Sequence, residues 1–213
     1  MRFLVAISVA LLAFAGVAAW IVEAEPDWYL RARYPLEYEH IVSAHARNYQ
    51  LDPALIAAVI YAESRFDPDV QSAAGAVGLM QLLPDTAKGI ALRTGGAKFV
   101  LPDLRDPEIN VRYGSWYLDH LRDRYDGDTR LALAAYHAGQ GNVDRWLADG
   151  SGIAFPETRA YVDEVERVRR VYAKAYPDEL LVGGPTALRT NATSVSTSRI
   201  GSPLPSRRIS ARR

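Results

Sequence analysis

One glutamate interrupts an apolar helical pattern in the segment ALIAAVIYAESRF. Glu63 follows Ile56, Val59 and Ile60 at spacings of three and four residues, which place side chains on one face of a helix. A carboxyl group in an apolar environment loses hydration of its charged form, and its pKa therefore rises toward neutrality. Such a carboxyl can protonate a leaving glycosidic oxygen as a general acid. Glu63 is therefore a candidate catalytic acid.

A structural ion pair is the alternative interpretation, because buried acids are also found paired with arginine. Arg65 is two residues from Glu63 and is expected to point away from it on the helix. Arg112 or Arg159 could reach the carboxyl from another helix. Spacing alone leaves both interpretations open.

Helix start signals recur along the chain and predict an all-α domain of about six to eight helices. An N-cap aspartate or a first-turn proline marks the starts at Asp52-Pro53, Pro84-Asp85, Asp106-Pro107, Asp128 and Pro156-Glu157. Asn142 is expected to cap a further helix. After Asp106, the predicted core-facing side consists of Ile109, Tyr113, Trp116, Tyr117 and Leu121. The segment QSAAGAVGLMQLL has no regular period and is expected to form a loop, and no strand pattern is visible.

Composition narrows the possible chemistry. Lys+Arg and Asp+Glu both total 25, and the basic residues of the domain are interleaved with acids, which argues against nucleic-acid binding. The absence of cysteine excludes disulfides, zinc-thiolate sites and a cysteine nucleophile. The four histidines show no ligand spacing, so no metal site is expected. Ser64 lacks the GxSxG context of a serine nucleophile.

The N-terminus carries an uncharged apolar stretch, Phe3 to Val22, of the length that a membrane-spanning helix needs, about 20 residues. Arg2 precedes it and acids follow it, which predicts a cytoplasmic N-terminus and an exported domain. We therefore expect a signal anchor. A signal peptide cleaved after Ala24 is the alternative, and its apolar region would be unusually long.

Three motifs in the remainder follow one another at compatible spacing: ESRFDPDVQSAAGAVGLMQLLPDTA, AAYHAGQGNVDRWL and FPETRAYVDEV. Together, over roughly residues 38–176, they closely resemble the lytic transglycosylases with the soluble-lytic-transglycosylase (SLT) catalytic domain. The resemblance implies a lysozyme-like helical fold. It also implies cleavage of the β-1,4 bond between N-acetylmuramic acid and N-acetylglucosamine in peptidoglycan glycan strands, without a metal or organic cofactor.

The resemblance assigns site residues by position. Glu63 matches the single catalytic acid/base. The other matched positions line the cleft or contact the substrate, and they are Ser72, Gln81, Leu83, Tyr136, His137, Glu157 and Tyr161. His137 departs from the family, which usually has asparagine there. Imidazole can replace an amide donor and could titrate at about pH 6–7, but a tolerated substitution explains the difference equally well.

A second catalytic carboxylate is not apparent, because Asp67, Asp69 and Asp85 sit naturally in turns and helix starts. The resemblance implies that none is needed: the muramic C6 hydroxyl attacks its own anomeric carbon and forms a 1,6-anhydro sugar. A muramidase that uses water and a non-catalytic peptidoglycan-binding protein remain the alternatives.

The expected organisation has four parts. Residues 1–25 form the anchor in the cytoplasmic membrane, residues 26–36 a connector, residues 37–180 the SLT-type catalytic domain and residues 181–213 a disordered tail. The tail contains six arginines and no acid, and it is rich in Ser, Thr, Gly and Pro. Nothing in the sequence demands more than a monomer.

Overall fold

The structure is a computed structural model that describes residues 2–96 and 98–181. Within these residues the fold is all-α, as predicted. The only β-type pairing among them consists of two isolated bridges in the loop around Val77. The α-helices are α1 (Arg2–Ala24), α2 (Asp27–Arg33), α3 (Glu39–Asn48), α4 (Pro53–Ser64), α5 (Pro84–Thr94), α6 (Pro107–Arg124), α7 (Thr129–Ala138), α8 (Gln140–Asp149), α9 (Pro156–Ala175) and α10 (Pro177–Leu181). A 3-10 helix, Leu101–Arg105, precedes α6.

Three predicted N-caps are confirmed by their hydrogen bonds. Asp52 Oδ1 accepts from the Ala54 amide at 2.8 Å at the start of α4. Asp106 and Asp128 accept from first-turn amides of α6 and α7 in the same way. These side chains satisfy amides that have no partner within the helix.

The predicted cap at Asn142 is wrong. Helix α8 already begins at Gln140, and Asn142 lies inside it with its side-chain amide donating to the Ala138 carbonyl at 2.8 Å. The reason is Gly139, which is both the last cap of α7 and the first cap of α8. Its φ of 86° turns the chain between the two helices without an intervening loop.

The N-terminal segment differs from expectation in two ways. Helix α1 covers the predicted anchor. Within the part of the chain that the structure describes, however, no helix is long and apolar enough to cross a membrane, so the predicted transmembrane span is not supported. The expected connector is instead helix α2, which packs against α9 and buries Leu30 in the core. At the other end, Leu181 is still helical, and the rest of the predicted tail, 182–213, lies outside the described residues.

Helix α4 is the centre of the main core. The sequence predicted one apolar face, but residues 54–61 are buried on every side, as expected for a helix surrounded by others. Its principal neighbour is α9, which presents Val162, Val165 and Val168, each fully buried.

A second, smaller core forms between α5, α6, the 3-10 helix and the loop that follows α4. It contains Val77, Leu82, Ile90 and other apolar residues. Tyr117 and Tyr136 pack against both cores, so they lie where the two meet.

Asn110 of α6 holds the loop after α4 in place. Its side chain is fully buried, accepts from the Met80 amide at 2.7 Å, and donates to the carbonyls of Val77 and Leu104 at 2.9 and 2.8 Å. Gly78 lies against it with a φ of +82°, and a Cβ there would come within 2.3 Å of the Asn110 amide nitrogen. The loop can therefore follow this path only with glycine at 78.

We predict that Asn110→Ala lowers the free energy of unfolding by about 2–5 kcal/mol, because the Met80 amide and the carbonyls of Val77 and Leu104 lose the hydrogen bonds that the buried Asn110 side chain makes to them. Urea unfolding measures the loss. Asn48→Ala, at an exposed position in α3, is the control and should change stability by less than about 0.5 kcal/mol. Equal effects of both substitutions would contradict the assigned role of Asn110.

Candidate active site

A cleft of about 480 Å³ opens between the two cores. Its walls come from the end of α4, the loop after it, and helices α5, α6 and α7. The lining residues are Glu63, Ser72, Ala74, Ala76, Gln81, Leu82, Leu83, Thr86, Tyr117, Tyr136, His137, Ala138 and Gly139. Glu63 is the only carboxylate among these described residues.

The end of α4 places Glu63 in the wall of the cleft. Ser64, the last residue of α4, is buried, and its hydroxyl contacts the Ile60 carbonyl of its own helix and the Leu79 carbonyl of the loop at 3.2 and 2.8 Å. Arg65 then adopts a left-handed conformation, with φ of 53°, and ends the helix. Ser64 thus ties the loop to the helix directly beside the carboxyl group.

Burial raises the pKa of Glu63 from its ordinary value of 4.5 to about 7. The Tyr161 hydroxyl donates to Glu63 Oε1 at 2.7 Å and opposes this rise, because a donated hydrogen bond stabilises the ionised form. Desolvation outweighs the hydrogen bond. Near neutral pH, Glu63 is therefore poised between its protonated and ionised forms.

The three arginines that could have paired with Glu63 lie elsewhere. Arg65 donates to the Tyr61 hydroxyl, Arg112 lies over the Tyr113 ring, and Arg159 donates to the carbonyls of Ile153 and Ala154. Among the described residues, no ion pair includes Glu63. The structural ion pair is thus not observed.

Two tyrosines flank the carboxyl group from different helices. Tyr136 of α7 lines the cleft, and its hydroxyl donates to the Met80 carbonyl at 2.7 Å. Tyr161 of α9 bonds Glu63. Burial raises the pKa of both phenols well above the ordinary value. Both hydroxyls therefore stay protonated and act as hydrogen-bond donors.

Ser72, Gln81 and Leu83 all line the cleft. The Ser72 hydroxyl accepts from the Ala76 amide at 3.0 Å, and the Gln81 amide nitrogen donates to the Val70 and Gly78 carbonyls at 3.1 and 3.0 Å. Leu83 is 45% exposed directly before α5. Ser72 and Gln81 thus help to hold the loop in its path beside the carboxyl group.

His137 and Glu157, two of the matched positions, differ in their relation to the cleft. His137 lines the cleft, and its ring stacks on Tyr161. Glu157 is exposed at the start of α9 and is not among the residues that line the cleft. Burial lowers the pKa of His137, and the charge of Glu157 is close enough to oppose part of that change. Glu157 thus lies near His137 without lining the cleft itself, and its role in substrate binding stays a prediction.

Tyr117 was missed as a site residue. Helical spacing placed it on the apolar side of α6, but its ring packs on Tyr136 at 5.5 Å and also lines the cleft. Periodicity identifies the inward side of a helix and does not distinguish a closed core from a cleft wall. The sequence contains no pattern that identifies Asn110 as the residue that holds the loop, because its hydrogen-bond partners are distant in sequence.

Comparison with known proteins is consistent with this arrangement. Residues 40–153 match the family described as "Transglycosylase SLT domain". The chain is 33% identical over 153 residues to the soluble lytic murein transglycosylase of Salmonella typhimurium, and this match covers 64% of the chain and 23% of that protein. A transglycosylase of Enterobacteria phage PRD1 is 38% identical over 113 residues, covering 53% of the chain and 38% of that protein.

Solved structures show the same similarity. The 70 kDa soluble lytic transglycosylase of Escherichia coli matches with a TM-score of 0.66 and 30% identity, covering 74% of this chain and 27% of that one. An inactive glutamate-to-glutamine mutant of the Pseudomonas aeruginosa lytic transglycosylase matches with a TM-score of 0.65 and 34% identity, covering 72% and 26%. The chain thus spans about a quarter of the length of these bacterial relatives.

We predict that Glu63→Gln stabilises the protein at pH 8 and not at pH 4. A carboxyl whose pKa is higher in the folded state binds more protons when folded, so stability falls as the pH rises from 4.5 through about 7. The rise in pKa from 4.5 to about 7 corresponds to a loss of about 3 kcal/mol in the free energy of unfolding at high pH. Because Glu63 is only half-buried, water on the cleft side reduces the gain to about 1–2 kcal/mol.

Urea unfolding at the two pH values tests this expectation. Glu37→Gln, at an exposed position, is the matched control and should show little difference between pH 4 and pH 8. A gain for Glu63→Gln that is the same at both pH values would show that the carboxyl is not held in its protonated form by the fold.

Proposed function

Because this chain belongs to the transglycosylase SLT family, we propose that it is a peptidoglycan lytic transglycosylase with Glu63 as its single acid/base. The observation that carries the proposal is one half-buried carboxyl group with a pKa of about 7 in a cleft with no second carboxylate among its described lining residues. The inactive glutamate-to-glutamine mutant of the Pseudomonas aeruginosa relative adds support.

The first step is protonation of the leaving oxygen. Tyr161 donates to Oε1 of Glu63, which leaves Oε2 as the oxygen that carries the proton toward the substrate. Transfer of this proton to the glycosidic oxygen accompanies cleavage of the bond to the muramic anomeric carbon. The N-acetyl group of the muramic acid stabilises the resulting oxocarbenium-like centre from within the substrate.

The second step closes the sugar on itself. Ionised Glu63 takes the proton of the muramic C6 hydroxyl, whose oxygen then bonds the anomeric carbon to form 1,6-anhydromuramic acid. Glu63 ends the cycle protonated, so no net proton or water is consumed. An internal hydroxyl needs no recruitment from solution, which is an effective-molarity advantage.

A single carboxyl group fits this route better than hydrolysis. Glycosidases that use water or a covalent intermediate place two carboxyl groups about 5–9.5 Å apart. Apart from Glu63, the described lining residues that carry polar side chains are Ser72, Gln81, Thr86, Tyr117, Tyr136 and His137, and none of them is an acid. An internal nucleophile removes the need for a second carboxylate.

The remaining site residues are proposed to bind the glycan strand. Ser72, Gln81, Leu83 and Tyr136 line the cleft beside Glu63 and would contact the sugar rings around the scissile bond. Glu157 would contact a substrate group outside the cleft proper, because it lies at the exposed start of α9. We expect a monomer that needs no metal or organic cofactor and acts outside the cytoplasm, where peptidoglycan lies.

Mass spectrometry of the products released from purified peptidoglycan tests the proposal. We expect muropeptides one water lighter than hydrolytic products, and a loss of activity of at least about 100-fold in Glu63→Gln, because general acid–base catalysis contributes about this much or more. Products with a reducing muramic acid would identify a muramidase instead. Binding without release by the unaltered chain would identify a non-catalytic peptidoglycan-binding protein.

We also predict that kcat/KM falls as the pH rises through about 7, because only protonated Glu63 can begin the reaction. A pH profile of product release from soluble glycan oligomers measures this fall in kcat/KM. In Tyr161→Phe this fall should occur at higher pH, because the variant loses the hydrogen bond from Tyr161 that holds the pKa of Glu63 down. A fall near the ordinary carboxyl pKa of 4.5 would contradict the assignment.

A further inference from the structure

The hydrogen bond between Tyr161 and Glu63 depends on how the Tyr161 ring is oriented. One face of this ring stacks on the imidazole of His137, with ring centroids 4.5 Å apart and an interplanar angle of 28°. His137 is in the last turn of α7, whereas Tyr161 belongs to α9. A residue of a different helix therefore supports the tyrosine that touches the catalytic carboxyl.

The imidazole is itself held in place. Its Nδ1 lies 3.2 Å from the hydroxyl of Thr158, which is fully buried. Thr158 precedes Tyr161 by three residues, so the two side chains share one face of α9. His137 thus contacts this face at two points, through a hydrogen bond and a ring stack, and this fixes the plane of its ring.

The charge state of His137 suits such a contact. His137 is exposed on its cleft side, and the partial burial of its ring against α9 lowers its pKa, while Glu157 of α9 opposes the change. Tyr161, also of α9, stacks on the ring, and the titratable residues that line the cleft with His137 are Glu63, Tyr117 and Tyr136. An imidazolium here would favour ionised Glu63 and weaken it as an acid, whereas a neutral ring supports Tyr161 without doing so.

From this geometry we propose that His137 is a positioning residue, whose ring holds Tyr161 in the orientation in which its hydroxyl reaches Oε1 of Glu63. The asparagine expected here from the SLT resemblance has no ring and cannot form this stack. The departure at position 137 is then a functional feature of this chain. The inference rests on the proposed role of Glu63.

The pKa of Glu63 tests the proposal without any substrate. It can be followed by NMR in the full chain labelled with carboxyl-13C glutamate, with Glu63→Gln identifying the resonance. Tyr161→Phe should raise this pKa by about one pH unit. His137→Ala should raise it by a smaller amount, and should cause no further change when Tyr161→Phe is already present. His137→Phe retains the stack and should stay close to the unaltered chain.

Control variants separate positioning from general effects. His40→Ala removes an exposed histidine of α3 and should leave the pKa of Glu63 unchanged. His137→Asn supplies a second ring-free variant, so the comparison does not depend on the folding of His137→Ala alone.

Three results would overturn the proposal. The first is an unchanged pKa in both ring-free variants. The second is a shift in the pKa of Glu63 that His137→Ala causes equally with and without Tyr161→Phe, which would mean that His137 acts on Glu63 directly. The third is an equal shift in His137→Phe and His137→Ala, which would exclude the stack. Loss of cleavage chemistry in the product assay would instead count against the proposed function and leave the pKa relation intact.

Discussion

The packing of α4 against α9 is the constraint on which the site depends. Helix α4 is buried along residues 54–61, and it can be so apolar only because other helices, α9 above all, surround it. The same contact brings Tyr161 of α9 to Glu63 of α4 at 2.7 Å. The core that stabilises the fold thereby also removes water from the carboxyl group and supplies its hydrogen-bond donor.

The loop after α4 forms the opposite wall, and buried or half-buried polar side chains rather than regular structure hold it there. Asn110, Ser64 and Tyr136 each bond the backbone of residues 77–80. Each comes from a different helix, so the path of the loop is set only when α4, α6 and α7 are assembled. A short loop without strands can in this way be rigid enough to line a cleft, because its polar backbone groups are satisfied.

Most of the fold could be predicted from local signals. The N-caps at Asp52, Asp106 and Asp128 act through bonds to amides two or three residues away, so the sequence contains both partners. The cap at Asn142 failed because a single glycine conformation at Gly139 joins two helices directly. Helix α2 was mistaken for a connector because its stability comes from burying Leu30 against distant residues and not from its own seven-residue pattern.

For the site, the sequence alone determined which carboxyl group is unusual, because Glu63 stands in an apolar helix whatever its partners are. The family motifs predicted Tyr136 as a residue that faces this carboxyl group, and His137 and Tyr161 only as residues of the substrate-binding cleft. Tertiary structure decided the relations among them: that no arginine reaches Glu63, that Tyr161 bonds it, that His137 stacks on Tyr161, and that Glu157 lies outside the cleft. The reason is physical. Helical periodicity and capping depend on residues a few positions apart. Desolvation, ring stacking and hydrogen bonding at this site depend on residues that are up to 98 positions apart in the sequence.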